Sequence, residues 1–180
     1  FVAGSFFHKD ALGAQYVTRW DGQSWQDLPA GLNGTVCAMT TFDDGAGRAL
    51  YVGGVFSATY DGSIADYVAR WDGTNWSPLG LGLLGNVYAI CTFDDGTGEA
   101  LYAGGDFHTS DGSSINLVAR WNGLQWESVG GGIGGSSVRA FAVHDDGTGP
   151  ALYAGGQFSS AGGAQAANLA RWNGTTWSPV

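Results

Sequence analysis

The chain has 180 residues, 13% of them charged, a net charge of −9 and one lysine, which excludes the basic surface that phosphate backbones and anionic membranes select. Its 32 glycines follow no three-residue period, so it is not collagen, and 13% aromatics is too many for a disordered chain. No apolar run reaches the ~18 residues of a membrane helix.

In chain order the pattern is one of short strands between turns. It opens at Phe1 inside a strand pattern, without Met and without a signal peptide, so the chain is expected to be a processed or excised piece of something longer. Phe1–Phe6 is a degenerate copy of a strand that returns as Leu50–Phe56, Leu101–Phe107 and Leu152–Phe158, each reading Leu-Tyr-(Val/Ala)-Gly-Gly-x-Phe. The glycine doublets are Gly53-Gly54, Gly104-Gly105 and Gly155-Gly156. Arg19-Trp20, Arg70-Trp71, Arg120-Trp121 and Arg171-Trp172 recur every 50 or 51 residues. Trp25, Trp76, Trp126 and Trp177 keep the same period, as do Asp43-Asp44, Asp94-Asp95 and Asp145-Asp146. The units run approximately 1–34, 35–85, 86–136 and 137–180, within one domain.

Within the third unit the spacing predicts strands over Val87–Phe93, Leu101–Phe107, Asn116–Trp121 and Trp126–Val129. Asp94-Asp95-Gly96 and Asn122-Gly123 supply the tight turns, since Asp, Asn and Gly tolerate positive φ. No window has a 3.6-residue apolar period, so no helix is expected. A lone four-stranded sheet cannot bury both faces, whereas sheets stacked about an axis can. The expected fold is therefore all-β: a β-propeller of four-stranded antiparallel blades. About four blades are expected, the N-terminal one without its inner strand, as part of a larger ring or as a half-ring completed by a second copy.

Each unit resembles a kelch-type blade: a Gly-Gly doublet ends the second strand, an aromatic follows on the third, and a Trp comes shortly after. Gly53-Gly54, Trp71 and Trp76 carry the match in one unit, and Gly104-Gly105, Trp121 and Trp126 in the next. The repeat is also similar to the Gly-Gly-x-Phe…Ala-Arg units of secreted bacterial propellers of the delta-60 type. It departs from kelch repeats in carrying Trp after Arg where those usually carry Tyr. The resemblance implies a fold and leaves function open.

The candidate sites have two readings each. Asp43, Asp44, Asp94, Asp95, Asp145 and Asp146 could ligate calcium, the one cofactor considered, or could cap their own hairpin turns. Arg19, Arg70, Arg120 and Arg171 could capture anions, or could form one structural ion pair per unit, with the first Asp of the turn, such as Asp94, as the expected partner. The repeated tryptophans could stack on sugars or pack between sheets. In each case identical recurrence favours the structural reading, because a ligand site needs different groups in different places.

The unrepeated residues are the better place to look for function. His8 and His108 fall in loops, and His144 replaces the Phe of Phe42 and Phe93, so a partly buried aromatic slot is expected for it. No two histidines have a metal-ligand spacing. Cys37 and Cys91 read as small apolar residues on buried strands, and Cys37 aligns with Tyr88 one unit along. Asn33, Asn75 and Asn173 begin sequons. No nucleophile elbow, Walker loop or His-Glu-x-x-His occurs. The function expected is that of a non-catalytic, secreted or cell-surface scaffold or binding module. Its partner would be a protein or glycan, with neither nucleic acid nor membrane insertion. Binding is expected on the loops Phe7–Gln15, Ser57–Asp66, His108–Ile115 and Ser159–Ala167. The alternatives are a self-assembling half-ring and a segment of a propeller enzyme whose active site lies in other blades.

Overall fold

A computed structural model describes residues 1–7, 15–59, 62–110 and 112–180 of the chain. The described residues contain no helix and form antiparallel sheets that follow one another along the sequence. The first sheet has three strands, β1 (Val2–Phe7), β2 (Gln15–Trp20) and β3 (Trp25–Asp27). The second has β4 (Thr35–Asp43), β5 (Arg48–Val55), β6 (Val68–Trp71) and β7 (Trp76–Pro78) in that order. In the third, β8 (Val87–Asp94) and β9 (Glu99–Gly105) are followed by a small hairpin, β10 (Thr109–Ser110) and β11 (Ser113–Ser114). The sheet then closes with β12 (Val118–Trp121) and β13 (Trp126–Ser128). The fourth comprises β14 (Ile133–Asp145), β15 (Pro150–Ala161), β17 (Leu169–Trp172) and β18 (Trp177–Pro179), with β16 (Ala164–Gln165) paired to β15.

The turns explain why the strands stop where they do. Asp94 Oδ1 accepts the backbone N–H of Gly96 at 2.8 Å and of Gly98 at 3.0 Å, and Asp43 and Asp145 do the same in their units. Gly96 and Gly98 lie at φ 94° and 114°, where a side chain would be strained. At the next turn Asn122 Oδ1 accepts the N–H of Leu124 and Gln125, both at 2.9 Å. Asp21, Asp72 and Asn173 repeat that contact.

Two expected strand limits shift. β9 begins at Glu99 and ends at Gly105, because Asp94 pairs with Glu99 across the turn and Phe107 leaves the ladder to bury completely. β12 begins at Val118, because Asn116 and Leu117 are left-handed (φ 55° and 67°) and cannot continue a pleated strand.

Consecutive sheets pack face to face. Tyr51, Val68 and Phe42 of the second sheet cluster with Val87, Leu101 and Trp121 of the third. Phe93, Tyr102 and Val118 of the third cluster with Val138, Leu152 and Trp172 of the fourth. Val17 and Leu28 of the first cluster with Leu50, Val52 and Trp71 of the second. The leading strands of the complete sheets meet in series: β4 touches β8 and β8 touches β14, while β1, the copy of a second strand, also lies against β4. The Gly-Gly doublets mark where the next sheet comes closest. A Cβ on Gly104 would sit 2.7 Å from Val138 and 2.8 Å from the Phe141 ring, whereas one on Gly155 would find nothing nearer than 3.9 Å.

The same Trp pair therefore has two fates. Trp121 and Trp126 are 7% and 3% exposed between sheets, while Trp20 and Trp25 on the first sheet are 48% and 50% exposed. The ring centroids stay 5.3 Å apart in both pairs, so the pairing belongs to each sheet by itself. His144 does not occupy a partly buried slot. It is exposed beside Tyr153, with ring centroids 6.0 Å apart, because among the described residues no sheet packs on that face.

Candidate functional site

At the turn end the repeated residues form one ladder. Asp44, Asp95 and Asp146 pair with Nε of Arg70, Arg120 and Arg171 at 3.3, 3.0 and 3.3 Å. The partner is thus the second Asp of each turn. The first Asp is unavailable because its Oδ1 already holds two backbone N–H groups of its own turn. Tyr102 and Tyr153 donate to the same carboxylates at 2.8 and 3.0 Å, and Tyr51 accepts from Arg70 Nε at 3.1 Å. Thr97 and Thr148 accept from Arg120 and Arg171 Nη2. Burial alone would raise the Asp44 and Asp95 acidities' pKa values, but the hydroxyl and amide donors and the neighbouring arginine outweigh it and hold both low. Asp146 falls to about 2, chiefly through Thr148 and then Tyr153. Burial and the hydrogen bond to Asp44 push Tyr51 up to about 12.

These contacts occupy the carboxylates considered for calcium. Among the described residues no three His, Cys, Asp or Glu side chains converge as metal ligands. Arg19 belongs to a sheet without such a turn.

The other end breaks the repeat. Each leading strand carries a register shift at the same place: between Val36 and Ala38, Val87 and Ala89, and Val138 and Ala140. A bulge turns one side chain off the sheet's packed faces. The three bulge residues are Cys37, Tyr88 and Arg139. This corrects the reading of Cys37 as a buried apolar residue, since the bulge leaves it exposed. Cys91, on a regular part of β8, is half-buried, and burial pushes its thiol up to about 12. Neither forms a disulfide.

Around the bulges the groups interlock. The Arg139 guanidinium carbon lies 4.2 Å from the centre of the Tyr88 ring, a cation–π contact, and Arg139 Nε donates to Ser137 Oγ at 2.9 Å. Tyr88 OH donates to Asp106 Oδ2 at 2.7 Å. Asn86 donates to Asp106 through its backbone N–H at 2.6 Å and its amide at 2.9 Å, and to Tyr88 OH at 3.1 Å. Burial would raise the Asp106 pKa, but Tyr88, Asn86 and the Arg139 charge together hold it low. Although its side chain is exposed, partial desolvation by the surrounding atoms raises the Cys37 thiol, and the same Arg139 charge lowers it in part. Beside Asn86, between the second and third sheets, is an open cleft of about 240 Å³. Asn33, Val55, Phe56, Ser57 and Tyr67 complete its lining.

Of the loops expected to bind, Ser57–Asp66 reaches this cleft through Ser57, and His108–Ile115 starts one residue beyond Asp106, after the buried Phe107, with His108 exposed. Ser110 pins the latter loop by donating to Gly82 O at 2.7 Å. Ser159–Ala167 forms the end of β15 and the β16 hairpin. Residues 8–14 of the loop Phe7–Gln15, His8 among them, lie outside the described residues, as do residues 60, 61 and 111. Asn33 holds the distant backbone N–H groups of Ser57 and Ala58, Asn173 holds those of its own turn, and Asn75 is exposed.

Asn86, Asp106, Ser137 and Arg139 were not among the sequence candidates. The signal was present at one position: Arg139 breaks the arginine period and aligns with Cys37 and Tyr88. No family model, curated protein or solved structure matches the chain.

Proposed function

We propose that the sheets are consecutive blades of a kelch-like or delta-60-type β-propeller, and that it acts outside the cell as a non-catalytic binding or scaffolding module for a protein or glycan. The serial contact of β4, β8 and β14 supports the ring geometry, since leading strands that meet in order are those that would line a common axis. One observation carries the functional reading. The bulge position holds Cys37, Tyr88 and Arg139 on three otherwise matching strands, while the turn end repeats one ion pair. A binding reading suits this cluster better than a catalytic one. Asp106 is its only carboxylate, and three hydrogen bonds and a nearby cation stabilise its ionised form, making it a poor proton acceptor at neutral pH. Glycan arrays and cross-linking to surface proteins test the module. The expected result is capture that is lost when the loops flanking Asn86 and Asp106 are scrambled, and capture that survives scrambling would sink the reading.

A second reading has its own observation. Trp20 and Trp25 are uncovered on one end face and Leu169, at 39% exposure, on the other, whereas at the internal junctions the matching Trp71, Trp121, Trp126, Val68 and Val118 are buried and Trp76 is half-buried. Self-association through those faces predicts oligomers by light scattering, which a strictly monomeric, folded chain would contradict.

A further inference from the structure

Resting on the binding-module reading, we propose that Arg139 anchors a carboxylate, and that the ligand is a uronic acid residue whose ring lies on the Asn86 side of the site. Arg139 differs from the arginines that build the chain. Arg70, Arg120 and Arg171 are paired with aspartates, whereas Arg139 is exposed and forms no ion pair among the described residues. It is nonetheless held in place, its Nε on the buried Ser137 and its guanidinium carbon over the Tyr88 ring. Asp106 and Asn86 fix Tyr88 from behind. A guanidinium held by Nε alone keeps its two terminal nitrogens as a preorganised fork, and a planar carboxylate fits that fork with two parallel hydrogen bonds.

The surroundings narrow the class of ligand. One guanidinium, with Asp106 close enough to feel its charge, on a chain of net charge −9, disfavours a phosphate dianion or a polyanion and tolerates a single carboxylate. The groups alongside suit hydroxyls. Asn86 uses its amide N–H groups on Asp106 and Tyr88 and leaves its side-chain oxygen as an acceptor, and the adjoining cleft presents the Tyr67 ring and the Ser57 hydroxyl, which Asn33 holds in place.

The test is a titration of the full chain with D-glucuronate, D-glucose and acetate, read by backbone and arginine side-chain NMR. Glucuronate is expected to shift the Asn86, Tyr88 and Arg139 signals saturably, more tightly than acetate, with no response to glucose. Arg139→Gln should weaken glucuronate by about tenfold or more, since it removes the charged fork, and Arg139→Lys should weaken it less while keeping the charge. Because Arg139 is exposed, both variants should melt near the parent temperature, which separates loss of the anchor from loss of the fold. Equal affinity of parent and Arg139→Gln, or no saturable glucuronate shift, overturns the carboxylate anchor. Acetate binding as tightly as glucuronate overturns the sugar. Capture of a neutral glycan on the array without a glucuronate response keeps the module and removes this ligand, whereas no capture of any kind together with a glucuronate response removes the loop reading and keeps the anchor.

Discussion

At the turn end, Asp44, Asp95 and Asp146 hold Arg70, Arg120 and Arg171 in one arrangement, while at the opposite end of the same strands the bulge residues are a thiol, a phenol and a guanidinium. Both sets sit at fixed repeat positions, so position alone does not separate them. What separates them is the demand on each. Every sheet must present a matching face to its neighbour, and whatever sets the strand ends must recur in every unit. The bulge points off both packed faces, so no neighbour dictates its residue, and it is free to differ. Recurrence therefore goes with structure in this chain, and its failure at a geometrically constant position is what supports the proposed site.

The largest effect that could break this comparison comes from the junctions. Trp121→Ala empties a slot in which the ring is 7% exposed and should cost ~3–5 kcal/mol, whereas Trp20→Ala removes a half-exposed ring and should cost well under half of that. Urea denaturation of both variants measures the difference, and equal losses would mean that the first sheet's outer face is as packed as an internal junction. Next comes the glycine doublet. Gly104→Ala drives a methyl into Val138 and Phe141 and should cost ~1–3 kcal/mol, while Gly155→Ala meets open space and should stay within ~0.5 kcal/mol or stabilise. Thermal melts of the pair would show whether close approach, rather than strand geometry, is what makes glycine necessary there.

The sheets were legible because period-two patterning and Asp-Gly and Asn-Gly turns are local signals, repeated often enough to reinforce one another. The misread boundary at Asn116-Leu117 has a physical cause: two left-handed, non-glycine residues inside an apolar run look like strand until φ is known. The Arg–Asp pairing was legible to within one residue. Which of two adjacent aspartates is available depends on turn hydrogen bonds that spacing does not encode. Cys37 was misread because a bulge shifts the inside-outside alternation, and nothing in Thr-Val-Cys-Ala announces the extra residue. Arg139 stood in plain view as the arginine out of period, but its link to Asp106 joins residues from different sheets through Tyr88, which only the packing reveals.

A smaller effect separates the two phenols. Tyr102 is fully buried and donates to Asp95, so Tyr102→Phe should cost about 1 kcal/mol. Tyr88→Phe keeps the ring under Arg139 and leaves the half-exposed Asp106 its two Asn86 donors, so it should cost less in a melt and register instead as a looser glucuronate site. The smallest effect is in the pH dependence. Asp146 titrates near 2 in the folded chain, below its ordinary 3.8, so between those values the unfolded chain binds more protons. The stability it contributes is complete above about pH 4 and disappears as pH falls through 2. Asp44, Asp95 and Asp106 are lowered in the same direction and steepen the same acid limb. Tyr51 acts with the opposite sign: its contribution is complete below pH 10 and is lost as pH rises towards 12. Melts of the parent and of Asp146→Asn between pH 5 and pH 2 provide the check. The variant should be slightly less stable at pH 5 and should lose less on acidification, so that the two curves converge. Parallel curves would mean that neither the Thr148 and Tyr153 hydrogen bonds to Asp146 nor its pair with Arg171 distinguishes the folded chain from the unfolded one.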